Sequence, residues 1–218
     1  MSISDQIIYK NNQLIGLNKP SGLACQADKT GDKSLVDLAE IYTKSKLHLV
    51  HRLDRPASGI VLLAKNKKSL AHLNAQFQNR SIQKTYLAVV KNHPPEPTGH
   101  LVHFLRKNQK QNRSFATKEE VKYSKKAELQ YEVISAIDNY HLLKIDLMTG
   151  RHHQIRAQLA AINCPIKGDD KYGFKRSNKD RSIHLHAWQL AFRHPVTDER
   201  VTLQAPIPNE VVWQAFEF

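Results

Sequence analysis

The sequence predicts an α+β fold, a mostly antiparallel mixed sheet core with flanking helices. Three observations carry that expectation. Polar and apolar residues alternate in two neighbouring runs, 129–133 and 141–147, as half-buried paired strands do. An unbroken branched run, Ile60-Val61-Leu62-Leu63-Ala64, reads as a buried strand. The helical stretches are few and short, and those near the start open on a residue able to cap them.

The elements follow in order. Residues 14–19 read as a strand that ends in the turn Pro20-Ser21-Gly22. Residues 34–44 read as a helix, because Ser34 with Asp37 three positions on suits an N-terminal cap, and Leu35, Leu38, Ala39 and Tyr42 share one face. After the strand at 60–64, Ser69 is expected to cap a second helix carrying Leu70, Leu73 and Phe77. Residues 85–90 read as a strand, and 92–99, with three prolines, as a connector. Residues 101–126 are basic and poorly patterned, and read as a basic insertion, a long mobile loop or hairpin able to lie along a phosphate backbone or to be plain solvated surface. The alternating strands at 129–133 and 141–147 come next, then the turn Thr149-Gly150-Arg151. A helix with Ile155, Leu159 and Ile162 on one face ends near Asn163, before Pro165. Residues 183–192 and 201–203 read as strands and 211–216 as a short terminal helix. Residues 1–218 are expected to form one domain or two intimate subdomains, since no repeat or shift of composition divides them.

Charge bounds the function. The 218 residues carry a formal net charge of +13, with twelve histidines besides. Such an excess points to a polyanion, nucleic acid first and an acidic membrane surface second. The plain alternative is a basic soluble protein. Cys25 and Cys164 make no disulfide framework and suit a reducing compartment. The opening Met1-Ser2-Ile3-Ser4-Asp5 lacks the basic head and apolar run of a secretory signal, and no run nears the ~18 apolar residues of a membrane span. A cytoplasmic location is expected.

Two dense segments carry chemistry. In His51-Arg52-Leu53-Asp54-Arg55-Pro56-Ala57-Ser58-Gly59-Ile60 a carboxylate lies between two arginines, just before a Pro-x-x-Gly turn. Neighbouring cations favour the charged form of a carboxylate. Asp54 is therefore expected as an anion on a loop at the mouth of a strand, fit to be a nucleophile or a general base. In Thr149-Gly150-Arg151-His152-His153-Gln154-Ile155-Arg156 a turn feeds the first turn of a helix, where backbone amides and Arg151 would attract an anion. Arg156 supplies a cation suited to bidentate pairing with a carboxylate.

Other chemistries are disfavoured. His152, His153 and Cys164 do not make up a zinc set at ligand spacing, and His184 and His186, on one face of a strand as metal ligands could be, read as polar surface or cleft residues, so no metal is expected. Asp169 and Asp170 are adjacent, so their side chains diverge. There is no phosphate-binding loop, no dinucleotide fingerprint and no Gly-x-Ser-x-Gly, and no cofactor is expected.

Taken together, His51-Arg52-Leu53-Asp54 and Gly150-Arg151-His152-His153-Gln154-Ile155-Arg156 resemble the RluA-type pseudouridine synthases, enzymes that isomerise uridine within RNA. Asn18-Lys19-Pro20-Ser21-Gly22-Leu23, Lys84-Thr85-Tyr86-Leu87-Ala88, and Pro165-Ile166-Lys167-Gly168-Asp169 with Tyr172-Gly173 agree with the family and follow its order. The resemblance spans roughly residues 7–205 and implies a pseudouridine synthase-like fold with a central catalytic cleft.

The resemblance also implies roles. Asp54 is the catalytic carboxylate. Tyr86 packs on the target ring, though without the resemblance it reads as a buried strand aromatic. Arg156 matches the basic residue that pairs with the catalytic Asp. Arg52 matches the arginine that fills the gap left by the extruded uridine, or is a simple phosphate contact. Such extrusion costs a few kcal/mol. Leu53 and Ile155 line the pocket or are ordinary core. His51, Arg55, Arg151, His152, Lys107, Lys110 and Arg113 complete the expected RNA-binding set. The partner implied is RNA, a tRNA or rRNA stem-loop, with no membrane and no obligate protein partner. Many relatives carry a small N-terminal RNA-binding domain, and the early start of the matching segments reads as a short form without it. Two rival functions stand beside this one. A non-catalytic RNA-binding or remodelling protein of the same fold fits the charge. A glycosidase-like hydrolase would need a second carboxylate beside Asp54.

Overall fold

The protein is described from a computed structural model covering residues 2–28 and 31–217. It is α+β, and its chain divides into two compact units, Met1–Lys84 with Ala187–Ile207, and Thr85–His186 with Pro208–Phe218.

The first unit begins with a 3-10 turn and then β1 (Ile7–Lys10), β2 (Leu14–Lys19), α1 (Leu35–Thr43), β3 (His48–Leu49), β4 (Ser58–Ala64) and α2 (Lys67–Gln78). β2 pairs antiparallel with both β1 and β4, and β3 adds to β4. All seven residues of β4 are buried, because apolar clusters cover both of its faces. Ile60, Leu62 and Ala64 pack with Leu14 and with Leu73 of α2. Val61 and Leu63 pack with Ile15, Leu17 and with Leu35 and Ala39 of α1. A strand covered on both sides has no polar face to show, which explains the unbroken apolar run. α1 carries the capping box expected from Ser34 and Asp37. The second helix starts earlier than expected: Asn66, not Ser69, is its cap, and the Asn66 side chain accepts from the Ser69 amide.

The second unit holds β5 (Gln83–Val90), β6 (Thr98–Asn108), β7 (Arg113–Thr117), β8 (Lys125–Ile137), β9 (Tyr140–Leu147) and α3 (Gln154–Ala161). Its strands lie in the order β5-β9-β8-β6-β7, each antiparallel to the next. β8 alternates cleanly, with Ala127, Leu129 and Tyr131 buried and Gln130 and Glu132 exposed. Gly99 faces Tyr131 across the β6–β8 pair, and a Cβ there would stand 2.3 Å from the Tyr131 ring, so only glycine fits. Ala157 of α3 packs with Leu105, Ala127 and Tyr172.

β10 (Leu185–Arg193) and β11 (Arg200–Gln204) pair antiparallel over 189–193 and 200–204, and Leu190, Phe192 and Leu203 join the first unit's core. α4 (Val211–Gln214) is capped by the Glu210 carboxylate and inserts Trp213, which stacks on His184.

The basic stretch 101–126 is more regular than its composition suggests. β6 and β7 form a hairpin through residues 104–117. Its alternation is hidden because His103, a buried position of β6, is polar and bonded to Gln158 of α3. β1 and β3 went unread in the sequence, being four and two residues long.

Candidate active site

The first dense segment forms the loop between β3 and β4, and Asp54 lies on it, partly buried. Its backbone is tightly tied. Ala57 donates its amide to the Asp54 carbonyl at 3.1 Å, and Gly22 donates to the Arg55 carbonyl at 2.8 Å. Beneath the loop sits the Lys19 ammonium, fully buried. Its Nζ is within hydrogen-bond distance of four carbonyl oxygens, those of Pro20 (2.9 Å), Leu23 (2.8 Å), Arg55 (3.2 Å) and Ala57 (2.6 Å). Burial lowers the Lys19 pKa to about 8, while Cys25 and Asp54 pull it upward. At neutral pH it remains mostly a cation that gathers the carbonyls on either side of the turn after Asp54. The buried Cys25 thiol closes the other flank, accepting from the Leu53 amide (3.3 Å) and donating to the Leu53 carbonyl (3.5 Å). Burial pushes that thiol's pKa up. Gly59, at φ +110°, lets β4 pass close to Ala187, where a Cβ would meet the carbonyl oxygen at 2.3 Å.

Asp54's neighbours divide by task. Arg52 is exposed. Leu53 packs against the cluster of Ile15, Leu17 and Val61. Arg55 turns back on its own unit: Nε donates to the Gly22 carbonyl, Nη1 to Asp28 at 3.1 Å and Nη2 to Asp32 at 2.6 Å. His51 accepts the Leu62 amide on Nε2 at 3.2 Å and lies against Phe77. Burial, with help from the Lys84 charge, lowers its pKa to about 4. His51, expected in the RNA-binding set, is here a neutral ring bracing β4. Arg55, expected to bind RNA, is bonded to Gly22, Asp28 and Asp32.

Tyr86 is partly buried on β5, in register with Ile145 of β9. Beside it Thr85 donates its hydroxyl to Asp146 at 2.8 Å.

The second dense segment is a turn bolted to β8. Thr149 Oγ1 donates to Gln154 Oε1 (2.8 Å), which also accepts the Arg151 amide (3.0 Å), and Gln154 Nε2 donates to the Glu128 carbonyl (3.0 Å). His153 takes the left-handed conformation at φ 52° and stacks on His152 with ring centroids 3.8 Å apart. His152 meets Ser114 and Asn112 of the β7 region, and His153 meets the Tyr172 hydroxyl. Arg151 Nε donates to the Lys126 carbonyl. Lys107 and Lys110 are exposed on the hairpin, and Arg113 lies over Phe115 and Tyr172.

Ile155 is buried on α3. Arg156 is buried beside it and makes a bidentate pair with Asp169, Nε to Oδ2 at 2.6 Å and Nη2 to Oδ1 at 2.8 Å. Its guanidinium carbon lies 4.9 Å from the centre of the Tyr172 ring, as does that of Arg113. Asp169 and Tyr172 are thus the residues that hold Arg156 in place, and sequence reasoning did not assign them. The available signal was the matching segment Gly168-Asp169 with Tyr172-Gly173. Asp169 is buried and Asp170 exposed, so the paired acids do diverge.

Among the described residues, no group of three His, Cys, Asp or Glu side chains could hold a metal ion. His184 is bound instead to Glu210 at 2.9 Å. No described helix is long and apolar enough to cross a membrane.

Comparison with known proteins places this architecture. Residues 13–161 match the model of the RNA pseudouridylate synthase family. The chain belongs to the RNA pseudouridine synthase family, a family of isomerases. It is 33% identical over 213 residues to the ribosomal large subunit pseudouridine synthase C of Rickettsia felis, spanning 94% of this chain and 68% of the relative. It is 33% identical over 205 residues to an uncharacterized RNA pseudouridine synthase, MG209, of Mycoplasma genitalium, spanning 93% of this chain and 66% of the relative. The chain thus spans about two thirds of these relatives' length. Among solved structures, human RNA pseudouridylate synthase domain containing 4 superposes with a TM-score of 0.76 at 26% identity, over 95% of this chain and 90% of that one.

Proposed function

We propose that this protein isomerises specific uridines in structured RNA to pseudouridine, with Asp54 as the catalytic carboxylate. The observation that carries the proposal is the construction of the Asp54 loop. Its backbone is held by Lys19, Cys25 and Gly22, while the side chains of His51 and Arg55 serve the scaffold. A loop so immobilised suits a carboxylate that must meet one nucleotide in one geometry.

The chemistry balances without a co-reactant. The bond from the ribose C1′ to uracil N1 breaks, the base turns while still held, and C1′ bonds to C5. The proton leaves C5 and N1 gains one. Nothing is oxidised and no phosphate is spent. Tyr86 and Arg156 are proposed in the roles that the family resemblance gives them, with Asp169 and Tyr172 as the groups that keep Arg156 in place. The RNA is a tRNA or an rRNA stem-loop, and the ribosomal names of several relatives favour rRNA of the two. The net charge of +13 suits either.

Asp54→Asn tests the proposal. It is expected to abolish pseudouridine formation in a transcript that the wild type modifies, with affinity for that transcript retained. Conversion at a normal rate by the variant would refute Asp54 as the catalyst. Release of free uracil by the wild type would turn the activity into hydrolysis.

A further inference from the structure

The loop between β7 and β8 presents an aromatic ring to solvent. Tyr123 is 81% exposed. The turn that carries it is closed at both ends: Ser124 donates its amide to the Val121 carbonyl (2.9 Å), and the Ser124 hydroxyl bonds to the Val121 amide (3.0 Å) and carbonyl (2.6 Å). Tyr123 occupies the third position of this turn at φ +65°, a place that glycine takes without strain and a bulky residue does not. The chain therefore holds a large ring outward in a strained conformation and buries none of it in a core. Strained backbone of this kind persists only where its surroundings impose it, and it clusters at sites of recognition.

The surroundings are cationic. Lys118, Lys122 and Lys125 are exposed near Tyr123 in the chain, against Glu119 and Glu120, and Lys126 is ion-paired to Glu128. The Lys122 ammonium lies 5.2 Å from the centre of the Tyr123 ring, so the ring face already receives one cation. An exposed aromatic face with lysines beside it matches what single-stranded nucleic acid offers, a π-face for every base and a phosphate for every cation. Duplex RNA does not fit, because its bases are stacked on one another and its contacts run through shape and backbone.

We propose that Tyr123 is a stacking platform for an unpaired base of the RNA, with Lys118, Lys122 and Lys125 on the flanking phosphates. The proposal rests on the RNA-binding reading above and names a contact within it.

The test uses the full chain, a stem-loop RNA carrying 2-aminopurine in its loop, and a fully paired duplex of equal length. Tyr123→Phe should bind the stem-loop as the wild type does and quench the probe equally. Tyr123→Ala and Tyr123→Gly should bind it roughly 5- to 150-fold more weakly, the range expected for one lost base–aromatic stack. Both should keep the duplex affinity and the slope of affinity against salt, since no phosphate contact is lost. Tyr123→Gly should also melt at a higher temperature than Tyr123→Ala, because glycine relaxes the positive φ. Weaker binding in the more stable variant is a result that a merely structural role cannot give. Stem-loop binding within twofold of wild type in both variants, or an equal loss on the duplex, overturns the proposal alone. A wild type that binds neither RNA overturns the functional reading and this contact together.

Discussion

Replacing Lys19 with methionine isolates the cation beneath the Asp54 loop. Methionine keeps a comparable length and apolar stem but has no N–H to donate. An ammonium can fill three of the four carbonyl positions around Nζ at once. A hydrogen bond to a charged group contributes about 1.5–3 kcal/mol, so roughly 5–9 kcal/mol of bonding is lost. Against this stands the cost of burying the cation. A pKa lowered from 10.5 to about 8 corresponds to about 3 kcal/mol of penalty on the charged form, which methionine avoids. The net loss is about 2–6 kcal/mol, or a fall in Tm of roughly 4–24 °C for a chain of this size. Urea and thermal unfolding at pH 7 measure it, and a loss below about 1 kcal/mol would refute the reasoning. The pH dependence has a definite sign. Folded Lys19 releases its proton near pH 8 and unfolded Lys19 near 10.5, so between these values the unfolded chain binds more protons. Wild-type stability relative to Lys19→Met should therefore rise across that window, by up to about 1.4 kcal/mol per pH unit. A difference that shrinks there would mean that folded Lys19 holds its proton more tightly than unfolded Lys19, against the lowered pKa.

Two further outcomes follow from buried polar groups. Asp169→Asn removes the buried carboxylate that pairs bidentately with Arg156 and should cost about 3–5 kcal/mol in urea unfolding; a loss under 1 kcal/mol would show that the pair is not what holds Arg156. His51 has a pKa of about 4 folded against 6.5 unfolded, so the unfolded chain binds the extra proton as pH falls from 6.5 to 4. Stability present above pH 6.5 should drain away over that window, by on the order of 3 kcal/mol relative to His51→Phe, and the His51 ring resonances should stay unshifted between pH 8 and 5.

The strands with clear alternation or unbroken apolarity were legible, since a half-buried strand and one covered on both faces each leave a pattern in the chain. Ser34 with Asp37 foretold a helix start because a capping box is local. The hairpin within 101–126 was less legible, because a buried His103 replaces the apolar residue that would mark the inner face. The candidate site was legible as places where residues of unusual type crowd together, at 51–56 and 149–156. Its supports were not. Lys19 reads as an ordinary surface lysine until its four carbonyl partners, drawn from residues 20, 23, 55 and 57, are seen to converge on it. Asp169 reads as half of an acidic pair until Arg156 is found on it.

The structure also reverses the weight that sequence density gives to charge. His51, Arg52 and Arg55 are expected RNA contacts, yet the His51 ring is neutral and accepts a β4 amide, and the Arg55 fork binds Gly22, Asp28 and Asp32. Arg52 is exposed, and the Arg55 side chain, though 39% exposed, is spent on these bonds. Meanwhile the cation that organises the loop stands more than thirty residues upstream and touches no side-chain acceptor in doing so, only carbonyls. A backbone gathered by a buried ammonium cannot relax when one side chain changes. Substitutions at His51 and Arg55 should therefore register first as lost stability, whereas those at Arg52 should register as lost RNA contact with the fold intact.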